Sequence, residues 1–204
     1  PTRLFTLSQI EEDRPLFVIE TRSDRRIRLF TNQGGMLAVP CDDIPETKAT
    51  ARAANLAALL PFEKNEEIVA AFPEADDGDY LFFTAQGNVK RTAAAEYNLR
   101  TKKTAAISLR DGDALLSVER AGEGSILLIS RLGMSIRFMA DTVPAMGRVS
   151  GGVKCMKLEE RDAVMFASQP PGDGELLLVS DRGCGKRCLL FDYELQGRNG
   201  KGVK

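Results

Sequence analysis

Four stretches of this chain follow one plan: RIRLFTNQGG from Arg26, YLFFTAQGNVKRT from Tyr80, ILLISRLGMSIRF from Ile126 and LLLVSDRGCGKRC from Leu176. Each runs an apolar, β-forming segment into a few polar residues, a glycine and a second strand-like segment, which is the pattern of a β-hairpin. The glycines, Gly34, Gly87, Gly133 and Gly183, lie 53, 46 and 50 residues apart and supply the positive φ that the turns need. The plan continues beyond each turn. Eight or nine residues on stands an acid followed by a larger residue: Asp43-Ile44, Glu96-Tyr97, Asp141-Thr142 and Asp192-Tyr193. Thirteen to fifteen residues on stands a cation: Lys48, Arg100, Arg148 and Arg198. In the second and third units a short alternating strand follows (TAAISL, GVKCMKL), then an acid four residues past its leucine (Asp113, Asp162), then an apolar closing strand.

Each unit therefore holds about four strands in about 50 residues, with no long amphipathic helix. Four-stranded units at this period predict blades set radially, a propeller-like arrangement that leaves only short, protected sheet edges. The expected fold is all-β, about four blades in a single domain over 1–204, with units at approximately 16–74, 75–120, 121–170 and 171–204. The last unit stops midway, which predicts an incomplete or open last blade, or one completed by the opening segments TRLFTL and PLFVIE.

Several function classes drop out. No apolar run approaches the roughly 20 residues that cross a bilayer, and the start has no apolar signal core, so no membrane partner is expected. The first residue is not Met, which predicts a piece of a longer protein. The chain has no histidine, and its cysteines, Cys41, Cys155, Cys184 and Cys188, form no C-x-x-C pair. Neither a metal site nor a cofactor is expected, nor the usual general base or nucleophilic triad, so no residue is assigned as catalytic. The cysteines read as reduced thiols of a cytosolic protein.

Charge is nearly balanced overall but unevenly placed. Residues 1–79 carry nine lysines and arginines against fifteen acids; residues 80–204 carry nineteen against fourteen. The basic excess of the second part points to a polyanionic partner. An arginine stands four residues after three of the hairpin glycines (Arg91, Arg137, Arg187), with Ala38 in the first unit, and Lys90 and Lys186 precede two of them. Neighbours on a strand point to opposite faces, so at most one of each pair faces a core. Near the end lies Q-G-R-N-G-K-G, residues 196–202. Glycines let a backbone approach a phosphate, Arg offers a planar fork and Lys a mobile charge, so the stretch suits phosphates read without regard to base sequence. With no Trp, and with Tyr80, Tyr97 and Tyr193 at positions that suggest packing, duplex is the better match than unpaired bases.

The stretches AMGRVSGGVKCMKL with its acid Asp162, GCGKRCLLFDYELQGRNGKGV, NVKRTAAAEYNLR and ANLAALLPFEKNEEI, in that family's order and spacing, resemble the C-terminal domain of the A subunit of bacterial type IIA topoisomerases, DNA gyrase and topoisomerase IV. The resemblance runs from about residue 16 to the end. It implies a β-pinwheel, a ring of blades that exchange strands, and a non-catalytic domain that binds, bends and wraps double-stranded DNA. The parent would be an ATP-dependent topoisomerase of the bacterial cytoplasm and nucleoid, whose other partners are the ATPase subunit plus the rest of the A subunit. Residues 196–202 resemble the gyrase box Q-R-R-G-G-K-G at Gln196, Arg198, Gly200, Lys201 and Gly202, and depart from it at Gly197 and Asn199. The family's box usually lies in its first blade, whereas here it stands in the last unit. The expected DNA-contacting residues are Lys90, Arg91, Arg100, Lys102, Lys103, Arg137, Arg148, Lys154, Lys186, Arg187, Arg198 and Lys201. The alternative is a propeller-like protein-interaction scaffold that does not wrap DNA.

Overall fold

The computed structural model describes residues 17–48 and 54–204; of the segments offered as an alternative completion of the last blade, TRLFTL and the first two residues of PLFVIE lie outside them, and Phe17–Glu20 form no strand. Thirteen strands follow one another: β1 (Arg26–Thr31), β2 (Gly35–Pro40), β3 (Ile68–Pro73), β4 (Asp79–Thr84), β5 (Asn88–Ala93), β6 (Lys103–Ala105), β7 (Leu115–Arg120), β8 (Ser125–Ser130), β9 (Ser135–Met139), β10 (Val153–Lys154), β11 (Val164–Ser168), β12 (Glu175–Val179) and β13 (Gly185–Leu189). Among the described residues the only α-helix is one turn, α1 (Leu56–Leu59), with the Asn55 side chain accepting from the Ala57 N–H at its start. The four sheets have orders β3-β1-β2-β6, β10-β5-β4-β7, β11-β8-β9 and β12-β13, all antiparallel.

The exchange of strands is plain in that order. Blade 1 takes its fourth strand, β6, from the second unit, and blade 2 takes β10 from the third. Blade 3 receives Val203 of the last unit in a bridge to Ser135. The short alternating strand of each unit therefore belongs to the sheet before it. Blade 4 is the hairpin β12–β13.

Each expected turn glycine lies in the left-handed region, with φ +78° at Gly34, +77° at Gly87, +81° at Gly133 and +76° at Gly183. Gly87 has a second constraint. A Cβ there would come within 2.9 Å of the Met156 carbonyl, because the segment after β10 presses on the turn. The repeated acids tie the turns. Asp113 accepts from the Gln86 N–H (2.9 Å) and from the Asn88 amide (3.2 Å), and Asp162 from the Leu132 N–H (3.1 Å). The acids of the acid-plus-large pairs lie in one-turn 3-10 helices that follow β2, β5, β9 and β13, with Ile44 and Tyr193 as the C-caps of the first and last.

Core lies between blades, so an inner strand is covered on both faces and reads as a continuous apolar run. β4 and β8 show this. Between blades 1 and 2 five rings (Phe30, Phe72, Tyr80, Phe82 and Tyr97) meet at 5.2–6.3 Å between centroids. Such pairs add about 0.5–1.5 kcal/mol each beyond area burial, which accounts for two of the three tyrosines as packing residues. Leu81, Phe83, Ile126, Leu128, Ile136 and Phe138 fill the space between blades 2 and 3. Leu176, Leu178 and Tyr193 pack on Leu127 and Ile129 between blades 3 and 4. The two outer faces differ. On blade 1, Leu29, Leu37 and Val39 are covered by Leu56, Leu59, Leu60 and Phe62, residues in and around α1. On blade 4, Leu177, Val179 and Phe191 stand 73%, 66% and 69% exposed.

Candidate nucleic-acid interface

Before each exchanged strand the chain makes a crossing loop between neighbouring blades: residues 98–102 before β6, 146–152 before β10 and 196–202 before Val203. The last two follow the same path. The Met146 N–H donates to the Arg91 carbonyl (2.8 Å), and the Gln196 N–H to that of Arg137 (2.7 Å). Gly152 has φ +81° and Gly202 has φ +79°. A Cβ at Gly152 would lie 2.7 Å from the Val89 carbonyl, and one at Gly202 would collide with that of Ser135. The final box glycine is thus demanded by the strand exchange itself. The departure at Asn199 has a local reason as well: its φ is +69°, and Asn is one of the few residues besides Gly that visits that region readily. A Cβ at Gly197 would meet no atom within 4 Å, so an arginine side chain there would reach solvent.

Of the twelve expected contact residues, Lys90 is a correction. It is 0% exposed, on the blade 2 face turned to blade 1 and cross-strand from Phe82. Its ammonium donates to the Tyr97 hydroxyl (3.3 Å), to the Ala106 carbonyl (2.7 Å) and to the Arg148 carbonyl, and lies 5.0 Å from the Phe82 ring centroid. A lysine stem is thin and flexible enough to thread between rings and reach carbonyls that incoming strands leave unpaired. Burial pushes this amine down to about 7, the Arg148 charge acting in the same direction and Glu96 against it.

Several other cations are engaged. Arg137 is half-buried and bridges blades 3 and 4, donating to Ser125 Oγ (2.7 Å) and to the carbonyls of Leu190 (3.1 Å) and Tyr193 (3.2 Å). Arg91 pairs with Asp79 at 2.5 Å and Arg187 with Glu175 at 3.5 Å. Lys154 donates to the Gln86 carbonyl (2.6 Å). Lys103 pairs with buried Glu66 (2.8 Å) and with Glu63 (3.2 Å). The Lys103 hydrogen bond, with the Glu63 N–H and Thr31 hydroxyl, holds the Glu66 carboxyl below its ordinary range against the effect of burial. Lys201 pairs with Glu159 at 2.8 Å between exposed side chains, a geometry worth little in water. Arg148 is half-buried: its Nη1 donates to Thr104 Oγ1 (2.8 Å) and the Ala105 carbonyl (2.6 Å), while Nε and Nη2 are neither bonded nor buried among the described residues. Arg100, Lys102, Lys186 and Arg198 are exposed, with no side-chain hydrogen bond or ion pair among the described residues.

One cation was missing from the sequence pattern. The place of the strand arginine in the first unit holds Ala38, and Arg28 stands directly across the ladder from it, 1% exposed. Arg28 donates to the carbonyls of Ala75 and Ala94 and to Asn98 Oδ1. The signal was present in RIRLF, where Arg28 stands two residues after Arg26 on one face of the strand.

Strand-exchanging blades with a crossing loop between neighbours define a β-pinwheel. The family model described as the DNA gyrase C-terminal domain, beta-propeller, matches residues 29–73, 78–121, 124–170 and 174–204, and the chain belongs to that family. It is 36% identical over 198 residues to the DNA gyrase A protein of Escherichia coli (strain K12), covering 95% of this chain and 23% of that protein. To the DNA gyrase A protein of Mycolicibacterium smegmatis it is 35% identical over 184 residues, 87% of this chain and 22% of the relative. The chain thus spans about a quarter of the length of these relatives. Among solved structures, the C-terminal domain of DNA topoisomerase IV superposes with a TM-score of 0.84 at 27% identity, over 89% of this chain and 58% of the other. A DNA gyrase A C-terminal domain superposes at 0.71 and 23% identity, over 90% and 60%, a likeness of fold.

Proposed function

We propose that this domain binds duplex DNA through its crossing loops and bends it from blade to blade. The observation that carries the reading is the equivalent placement of loops 98–102, 146–152 and 196–202 between successive blades, each with an arginine at or near solvent: Arg100, Arg148 and Arg198. The strand arginines Arg91 and Arg137 lie beside these loops through their carbonyls and, with Arg187, form the row expected to extend the contact. Contacts of this kind fix the path of a phosphate backbone without reading bases. A duplex that touches several blades must curve, at about 1–6 kcal/mol for a 40–90° bend, so several contacts have to act together. The parent would be a bacterial, cytoplasmic ATP-dependent type II topoisomerase that uses the curved segment in strand passage. Its partners would be the ATPase subunit plus the rest of the A subunit.

A second reading is a propeller-like protein-interaction scaffold that does not wrap DNA, favoured by the excess of acids over cations in residues 1–79. Duplex binding measured over a salt series separates the two. A domain that engages Z phosphates loses affinity with a log–log slope near −0.9Z. A steep slope, similar for two unrelated duplexes of equal length, supports the DNA reading. No binding at low salt excludes it.

A further inference from the structure

We infer that Lys90 is an internal positioning residue for Arg148: a buried ammonium that holds the main chain of the loop 146–152, so that Arg148 meets a phosphate already ordered.

The geometry is that of a matched set. An ammonium has three donors and no acceptor. Lys90 meets three acceptors, the Tyr97 hydroxyl and the carbonyls of Ala106 and Arg148, which belong to the 3-10 turn after β5, to the chain just past β6 and to the crossing loop of the third unit. From the other side, the Arg148 guanidinium grips Thr104 Oγ1 and the Ala105 carbonyl. Residues 104–106 are therefore clasped between Arg148 and Lys90, and Arg148 is fixed at its carbonyl and at Nη1 while Nε and Nη2 stay available.

The fold does not require a lysine at this place. Counting three residues from each hairpin glycine gives Leu37, Lys90, Ile136 and Lys186. Leu37 and Ile136 are buried aliphatic residues at the equivalent strand position, so packing is satisfied without charge. The crossing loop opposite Ile136 is 196–202, where a Cβ at Gly200 would lie 3.4 Å from Ile136 Cδ1, and there Arg198 makes no bond among the described residues. Where the interior residue is lysine the loop arginine is anchored; where it is isoleucine the arginine is free. Immobilising a long side chain on binding has an entropic cost, which a pre-ordered Arg148 avoids. The charged and titratable groups around Lys90 are Arg148 and Glu96, with Tyr97 held protonated by its burial.

The part of this inference that concerns DNA rests on the proposed function; the part that concerns the loop does not. The test, run at pH 6 where Lys90 holds its proton, uses Lys90→Met, with Lys90→Leu, the residue of the first unit, as a second variant and Lys186→Met as a surface control. Both Lys90 variants are expected to fold with a Tm no lower than the parent's. Hydrogen exchange of loop 146–152 rises by roughly five- to tenfold, as losing one net hydrogen bond allows, while loop 196–202 keeps the parent's rate. Duplex affinity falls by roughly two- to tenfold at an unchanged salt slope, since the ordering cost changes and the number of phosphates does not. Lys186→Met leaves Tm and the exchange of loop 146–152 at the parent's values, and only these two readouts use it as a control. Unchanged exchange in 146–152, or failure of both Lys90 variants to fold, overturns the inference. If the parent itself shows no salt-dependent binding, the DNA reading fails and the exchange rates alone decide the role of Lys90.

Discussion

The loops 146–152 and 196–202 run the same course between blades and end on the same glycine conformation, yet they present their arginines differently. Arg148 is held at both ends, by Lys90 inside and by Thr104 and Ala105 across the gap. Arg198 stands in solvent, with the aliphatic Ile136 beneath its loop and Val153 where the earlier unit has Thr104. The chain trace is thus set by the exchange of strands, whereas the freedom of the cation follows the side chains its loop meets, Lys90 and Thr104 in one case, Ile136 and Val153 in the other. On the proposed DNA reading, the glycine-and-cation motif sets where a phosphate contact would stand, and its neighbours set how much ordering that contact would cost.

The shared part of the two loops carries the largest expected effect. Gly152→Ala forces a Cβ against the Val89 carbonyl at positive φ and is expected to cost at least about 1–3 kcal/mol, read as a fall in Tm. A variant as stable as the parent would mean that the exchange tolerates a side chain there and that the common path is not the constraint. Next comes the difference between the arginines. Arg148→Ala removes two charge-assisted bonds to a neighbouring unit and is expected to lower stability by about 1.5–3 kcal/mol, with a loss of duplex affinity. Arg198→Ala should change stability by no more than about 0.5 kcal/mol while lowering the salt slope by about one. Equal thermal shifts for the two would erase the distinction.

The comparison is sharpened by adding a cation. Gly197→Arg restores the residue that the family's box has at that place, into open space. It is expected to raise the salt slope by about one with little change in Tm. The smallest effect concerns pH. Lys90 releases its proton near 7 in the folded domain, while an unfolded lysine holds its proton to about 10.4. Between those values the unfolded chain binds the extra proton, so stability rises with pH. Below about 7 the burial cost of the ammonium is present in full, so Lys90→Met gains most over the parent there, and its advantage shrinks toward pH 10. Thermal melts from pH 6 to 10 check this.

Much of the fold was legible because its demands are local. Positive φ at Gly34, Gly87, Gly133 and Gly183 asks for glycine, and the acids at Asp113 and Asp162 recur because each ties the turn of its own unit. The faces of the cationic pairs were not legible. Alternation says that Lys90 and Arg91 point oppositely, but which one turns inward depends on carbonyls 16 and 58 residues away that only strand exchange brings near. Lys186, with the same neighbour in sequence, stays in solvent. Arg28 was missed for a similar reason: its role is fulfilled across the ladder from Ala38, and a search in register along one strand passes it by.

The central claim, that cations on successive crossing loops make a duplex curve, is tested most directly by the bend angle of an end-labelled duplex bound to the parent and to the combined variant Arg100→Ala, Lys102→Ala, Arg198→Ala. These side chains make no bond within the described residues, so the fold should be unaffected. The account predicts that at low salt the variant still binds but leaves the duplex markedly straighter than the parent does. A duplex bent equally by both proteins would contradict it.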